Sequence, residues 1–230
     1  MRINKYLALC GVAGRRGAEK FIEQGKVSVN GKIITEFATD VDENNDVVRL
    51  DGRILNIPQS FTYIMLHKPK GYICSNSDEK GRKTVFDLIH SDKRLFTVGR
   101  LDYDTEGLLL VTDDGDLCKK LTHPSNEIGK TYIVKTEGKV SEIDLAALRK
   151  GVVLDDGFKT SPSDVKVLKT DDDSTRLEIT IHEGHNRQIK RMLSAVGKQV
   201  VFLKRVSVGN LRLGGLKRGA FRHLKKSEVD

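Results

Sequence analysis

The sequence predicts an α+β fold in two parts, with mostly antiparallel strand pairing. Three observations carry this. Candidate strands and helices follow one another irregularly rather than as alternating βαβ units. Asn30-Gly31 and Asp51-Gly52 each sit between short apolar segments, a strong hairpin signal. Asn56-Ile57-Pro58-Gln59-Ser60 reads as a linker between a helix-first stretch and a strand-rich remainder. The predicted parts are residues 1–58 and residues 61–230.

In the first part, a helix is expected over Ile3 to Cys10. A second is expected over Arg15 to Gln24, with Ala18, Phe21 and Ile22 on one face and Gly25 as the stop. Arg15 and Arg16 open that second helix beside an exposed turn. Cations and helix N-terminal amides then lie together, which suits a phosphate. Val27-Ser28-Val29 and Lys32-Ile33-Ile34 flank Asn30-Gly31, and Val47 to Leu50 and Arg53 to Leu55 flank Asp51-Gly52.

In the second part, strands are expected over Tyr63 to His67, Phe96 to Val98, Gly107 to Thr112 and Thr131 to Thr136. More follow over Ser163 to Leu168, Arg176 to Ile181, Gln199 to Leu203 and Val206 to Leu213. Helices are expected over Val85 to His90, Ser141 to Lys150 and Asn186 to Val196. Ser141 with Asp144 resembles a capping box. On the last helix Ile189, Met192, Leu193 and Val196 form an apolar face, opposite Arg187, Arg191 and Ser194. Lys190 falls on the flank between them, where a half-buried cation needs a carboxylate.

Composition narrows the function classes. The chain has 230 residues, 38% of them hydrophobic, which supports packed cores. No apolar run approaches the roughly 20 residues of a membrane span, and the first residues lack a signal-peptide core. Cys10, Cys74 and Cys118 are odd in number and far apart, which points to a reducing cytoplasm rather than a disulfide framework or a zinc site. The formal net charge is +8, and it is unevenly spread. Gly184 to Ser227 carries many Lys and Arg and no acid. Met1 to Thr35 sets Arg2, Lys5, Arg15, Arg16, Lys20, Lys26 and Lys32 against Glu19 and Glu23. Two positive segments with acidic stretches between them suggest a polyanion, such as nucleic acid, held at two places.

The richest segment is GRLDYDTEGLLLVTDDGD, Gly99 to Asp116. Leu108 to Val111 reads as a buried strand, and Asp102, Asp104 and Glu106 stand before it. A carboxylate at the mouth of a buried strand is costly to desolvate unless a cation or donors face it.

This segment resembles the GRLDxxTxGLLLxTxDG signature of bacterial ribosomal RNA pseudouridine synthases of the RsuA/RluB type. LHKPKGYICS (Leu66 to Ser75), GKTYIV (Gly129 to Val134) and EGHNRQIKRML (Glu183 to Leu193) resemble the family's other motifs, in the same order. The stretch from Arg2 to Lys32 resembles the S-four-type RNA-binding module. The resemblance implies a pseudouridine synthase fold behind that module. It implies a cofactor-free isomerisation of a uridine, with no metal, on ribosomal RNA or a ribosome-assembly intermediate, by a cytoplasmic monomer.

The resemblance also implies roles. Asp102 is the essential carboxylate; whether it attacks the sugar, attacks the base or removes a sugar proton stays open. Lys190 pairs with Asp102 where many relatives carry Arg. Tyr132 stacks on the base and handles the C5 proton. Arg100 either fills the space left by a flipped-out base or serves as a phosphate contact or a partner of Asp104. Arg2, Lys5, Arg15, Arg16, Lys26, Arg187 and Arg191 complete the expected RNA-binding set. Asp104, Glu106, Asp113, Asp114 and Asp116 are expected to be solvated turn and cap residues. Gly14 and His185 depart from the family pattern, where Ser and Arg are common.

HPS (His123 to Ser125), GRKTVFDL (Gly81 to Leu88) and GVVLDDG (Gly151 to Gly157) look more like members acting on the large ribosomal subunit. The competing readings are small-subunit RNA, a non-catalytic ribosome-assembly protein, and a nucleotide-dependent enzyme. The last is opposed by Pro124, which stands where a P-loop ending in Gly129-Lys130-Thr131 needs Gly.

Overall fold

The computed structural model describes residues 1–230. The chain divides into two compact units. The first comprises Met1–Thr62 with the short segments Ser91–Phe96 and Thr112–Gly115; the second holds the rest. The boundary thus falls at Thr62, later than the linker suggested. The first unit also takes in two segments from further along the chain. Hydrogen bonds explain this: the Thr62 amide donates to Asp113 Oδ1 (2.5 Å), the Thr112 hydroxyl donates to the Thr62 carbonyl (2.6 Å), and Lys93 Nζ donates to the Ser60 carbonyl (3.2 Å).

In the first unit, α1 (Ile3–Leu9) and α2 (Arg15–Glu23) lie against a sheet of order β2-β1-β3-β4. Its strands are β1 (Val27–Val29), β2 (Lys32–Ile33), β3 (Val48–Leu50) and β4 (Arg53–Ile54). Both hairpins turn where Asn-Gly and Asp-Gly placed them. Asn30 and Gly31 have φ of 51° and 83°, and Asp51 and Gly52 have φ of 48° and 80°. Two successive positive φ values define the type I′ turn that matches strand twist. Ile3, Tyr6, Leu7, Ala18, Ile22, Val27, Val41 and Val48 form the core. Gly14 stands at the N-cap of α2 and supplies no side-chain cap.

The second unit is built on a mixed sheet whose main path runs β13-β5-β7-β11-β8-β10-β9. Its strands are β5 (Tyr63–Lys68), β6 (Phe96–Val98), β7 (Glu106–Thr112), β8 (Lys130–Glu137), β9 (Asp164–Thr170), β10 (Ser174–Ile181), β11 (Val200–Val208), β12 (Leu211–Arg212) and β13 (Phe221–His223). β6 pairs with β7, and β12 with β11. β7 and β11 pair in parallel; β8 is antiparallel to both β10 and β11. β5 and β7 are buried along their whole length, which accounts for the apolar runs Tyr63 to Leu66 and Leu108 to Val111 within them and leaves Lys68 and Glu106 buried at their ends.

Three helices flank the sheet and one closes the chain: α3 (Gly115–Thr122), α4 (Glu142–Lys150), α5 (Gln188–Ala195) and α6 (Lys226–Val229). α4 carries the Ser141–Asp144 capping box. Val85–Leu88 is a single 3-10 turn rather than the expected helix to His90. The expected break between Leu203 and Val206 is absent: β11 runs through Lys204-Arg205, and the reversal comes at Gly209 before β12. No helix is long and apolar enough to cross a membrane. All three cysteines are free.

Candidate active site

Asp102 lies in the loop that leads from β6 into β7. Lys68, the last residue of β5, is wholly buried beneath that loop. Its ammonium donates to the carbonyls of Asp102 (2.9 Å), Thr105 (2.9 Å) and Pro69 (3.1 Å). Burial pushes the Lys68 pKa down; Cys74, Asp102, Asp104 and Glu106 oppose that. The loop is held further by the Gly71 amide donating to the Tyr103 carbonyl (2.8 Å), and by Cys74 Sγ against both backbone groups of Leu101 (3.4 Å each). The segment from Lys68 to Cys74 is therefore a clamp on the loop. The sequence alone assigns Lys68 no side-chain role beyond its place in the LHKPKGYICS motif. The available signal was a lysine ending an otherwise apolar strand.

The helix α5 brings the cation. Ile189, Met192 and Leu193 are buried against the sheet, which leaves Lys190 on the flank. The turn before it is set by Gln188, which accepts from the His185 amide (2.9 Å) and donates to Glu183 Oε1 (2.5 Å). Lys190 Nζ stands 3.8 Å from Asp102 Oδ2, and its direct hydrogen bond goes to Asp104 Oδ1. Asp104 is thus not a free turn residue. Burial pushes its pKa up, but the Lys190 hydrogen bond and charge outweigh this and hold it below the usual carboxylate value. Glu106 also departs from expectation. It is buried at the start of β7, with Arg218 Nη1 3.8 Å from its carboxylate.

Asp102 and Tyr132 line one cavity of about 200 Å³, together with Arg100, Arg187, Lys130 and Arg205. That is below the roughly 300–1,000 Å³ of drug-sized sites and in scale with one nucleobase. Tyr132 is 8% exposed, on β8, with its aromatic body in the wall. Arg100 and Arg187 are exposed where they line it. Asp104 takes Lys190 and is not paired with Arg100.

These positions belong to a known family. Residues 62–195 match the RNA pseudouridylate synthase family, and residues 1–47 match the S4 domain. The chain belongs to the RNA pseudouridylate synthase family. It is 42% identical over 231 residues to a Bacillus subtilis protein named ribosomal large subunit pseudouridine synthase B, covering 99% of this chain and 93% of that one. It is 41% identical to an RNA pseudouridine synthase of Aquifex aeolicus, covering 100% and 92%. A solved pseudouridylate synthase superposes with TM-score 0.72 at 33% identity, covering 100% and 98%. The enzyme is an isomerase with an RNA-binding S4 domain.

The synthase distributes its expected RNA-binding residues unevenly. Arg15 and Arg16 are the exposed first residues of α2; Lys26 is exposed, with its ammonium 5.9 Å from the Phe21 ring; Lys5 is half-buried on α1. Arg2 is tied to Asp40 (3.0 Å) and to the Ala38 carbonyl. Arg191 binds Asp155 and Asp156 (2.8 Å to the latter), and its guanidinium holds the Asp156 carboxyl below the usual range. These two arginines already have their anions. His185 stacks on Phe158, ring centroids 3.6 Å apart.

The synthase carries one further cation that sequence reading missed. Arg205 on β11 is 4% exposed, donates through Nε to the Leu108 carbonyl (2.8 Å), and faces the cavity. Its signal was a Lys-Arg pair inside an apolar run.

Proposed function

We propose that the synthase converts a uridine of large-subunit ribosomal RNA to pseudouridine, with Asp102 as the essential carboxylate acting on a base swung out of its stack. The observation that carries this is that Asp102 lines one base-sized cavity together with Tyr132 while the Lys190 ammonium, outside that lining, stands 3.8 Å from the Asp102 carboxylate. Unstacking the base costs a few kcal/mol, and the basic surface supplies binding energy against that cost. Asp102 acts as an anion beside Lys190. Tyr132 offers a stacking face and a hydroxyl that can manage the proton at C5. Lys190 holds the Asp102 carboxylate by charge alone, since an ammonium lacks the fork of an arginine. The assignment to the large subunit rests on the names of the Bacillus subtilis and Haemophilus influenzae relatives, each called ribosomal large subunit pseudouridine synthase B.

The test combines two measurements. Tritium release from C5-labelled uridine in ribosomal RNA transcripts is expected with the unaltered protein and absent with Asp102→Asn, which still binds the RNA. Turnover by that variant would overturn the role of Asp102. Pseudouridine mapping of both ribosomal RNAs from a strain lacking the protein is expected to show a modification missing from the large-subunit RNA. A loss confined to the small-subunit RNA would reassign the substrate.

A further inference from the structure

The cavity floor has a charge imbalance that the Asp102–Lys190 pair leaves untouched. Lys130 and Tyr132 are two residues apart on β8 and so share a sheet face. Arg205 stands opposite Tyr132 in the antiparallel register, which puts it on that face as well. All three line the cavity. Lys130 Nζ donates to the Ile128 carbonyl (2.7 Å) and Arg205 Nε to the Leu108 carbonyl (2.8 Å). Neither cation has a carboxylate within ion-pair distance. The acids lining the same cavity are engaged elsewhere: Asp102 faces Lys190, and Glu183 accepts from Ser161 and Gln188.

Two half-buried or buried cations without an anion are expensive to keep. The backbone is shaped to keep one of them. Gly107, at φ 119°, pairs with Arg205 across the parallel β7–β11 ladder. A Cβ on Gly107 would lie 2.2 Å from the Arg205 carbonyl oxygen and 2.5 Å from its amide nitrogen. Only glycine lets β11 come this close at that point. Each cation also raises the cost of the other: burial, then the charge of Arg205, pushes the Lys130 pKa down.

The missing anion must come from the RNA. Uracil in a uridine is neutral, but the reaction makes it negative. When the C1′–N1 bond breaks, its electron pair stays on the ring and spreads over N1, O2 and O4. If a carboxylate first adds to the ring instead, the displaced pair spreads toward O4. The charge is discharged when C5 bonds to C1′, displacing any carboxylate bound there; loss of the C5 proton to a base then returns a pair to the ring, and N1 takes up a proton to leave neutral pseudouridine. We propose that Lys130 and Arg205 form a cationic floor beneath the base that takes up this transient negative charge, making both of them catalytic residues of the isomerisation. A phosphate of the RNA backbone is the other anion to hand. The depth of Arg205, at 4% exposure, favours the base, while exposed Arg100 and Arg187 line the same cavity and suit the backbone.

Fixed donors aimed at charge that develops only during reaction lower the barrier more than they improve binding. The proposal rests on the ribosomal RNA reading above. Its test is the single-turnover rate at saturating protein, measured beside the dissociation constant on the same transcript. Lys130→Met and Arg205→Met are each expected to slow the step by roughly 10²-fold, as removal of one such donor does elsewhere. RNA affinity should stay within about threefold of the unaltered protein, and Lys130→Arg and Arg205→Lys should recover part of the rate. Should Arg205→Met fail to fold by circular dichroism, Lys130→Met decides alone. An unchanged rate in Lys130→Met overturns the proposal. So does a loss confined to affinity with a flatter salt dependence, which would assign the pair to phosphate. Lack of turnover by the unaltered protein on either ribosomal RNA overturns the underlying reading and the proposal with it.

Discussion

At the residue scale, the decisive relation is one ammonium shared between two carboxylates. Lys190 is 14% exposed, lies 3.8 Å from Asp102, and hydrogen-bonds Asp104 directly. Asp104 and Asp102 are two residues apart on an irregular loop, so sequence spacing could identify the cation and the loop but not rank the two acids. The physical asymmetry comes from exposure. The Asp104 carboxylate is more open to water than that of Asp102 and tethers the lysine at the rim. Lys190→Met removes the cation from both and leaves two like charges facing one site. It is expected to lower single-turnover rate by roughly 10²-fold. Asp104→Asn leaves Lys190 in place and free to close on Asp102, and is expected to retain most of the rate. Rapid-quench measurement of both variants checks this. If Asp104→Asn proved as inactive as Asp102→Asn, Asp104 would have to share the chemistry.

At the element scale, most of the fold was legible because period and turn chemistry agreed. The two hairpins, β7, β8, β10 and the apolar face of α5 all fall where pattern placed them. The failures at β11, β13 and Lys68 share a cause: contacts with residues remote in sequence. Sequence pattern places two strands, Gln199 to Leu203 and Val206 to Leu213, where β11 runs unbroken through Lys204-Arg205, because tertiary contacts bury Arg205 and the strand continues. α3 was hidden by Asp113-Asp114-Gly115, a turn signal that lies at the start of a helix. β13 is three residues long and paired with β5 across most of the chain, a contact no local pattern announces. Lys68 was missed for the same reason as Arg205: its meaning lies in carbonyls more than thirty residues away.

The clamp at the end of β5 carries an expectation of its own. Lys68→Met fits the volume but leaves the carbonyls of Pro69, Asp102 and Thr105 without their donor. An unsatisfied buried polar group costs about 1–3 kcal/mol, so a net loss of about 3 kcal/mol in urea unfolding is expected after the ammonium's own desolvation is relieved. Turnover should fall with RNA affinity intact, because the loop that positions Asp102 loosens. A stabilised Lys68→Met variant with full activity would show that the loop holds itself.

At the scale of the whole molecule, the charge that marked this chain as a polyanion binder is not one uniform surface. The sequence places Arg2 and Arg191 among the expected RNA contacts, yet the fold gives each a carboxylate: Asp40 for Arg2, and Asp155 and Asp156 for Arg191. Arg15 and Arg16 remain exposed at the start of α2 in the first unit. A cation that is neutralised within the protein releases few counterions when RNA binds, whereas an unpaired one releases its full share. Each single-strand phosphate contact contributes about −0.7 to the slope of log affinity against log salt. Replacing both Arg15 and Arg16 by Ala is therefore expected to weaken binding and flatten the slope by roughly 1.4. Arg191→Ala is expected to leave the slope within about 0.3 of its original value, well under one full contact. Its cost should instead appear as lower stability, since it strands two acids against α5. Filter-binding titrations from low to physiological salt separate the two cases. An Arg191 slope as large as that of the α2 pair would mean that the Asp155–Asp156 loop releases its arginine to the RNA. The ion pairs would then be a resting state of the binding surface rather than part of the scaffold.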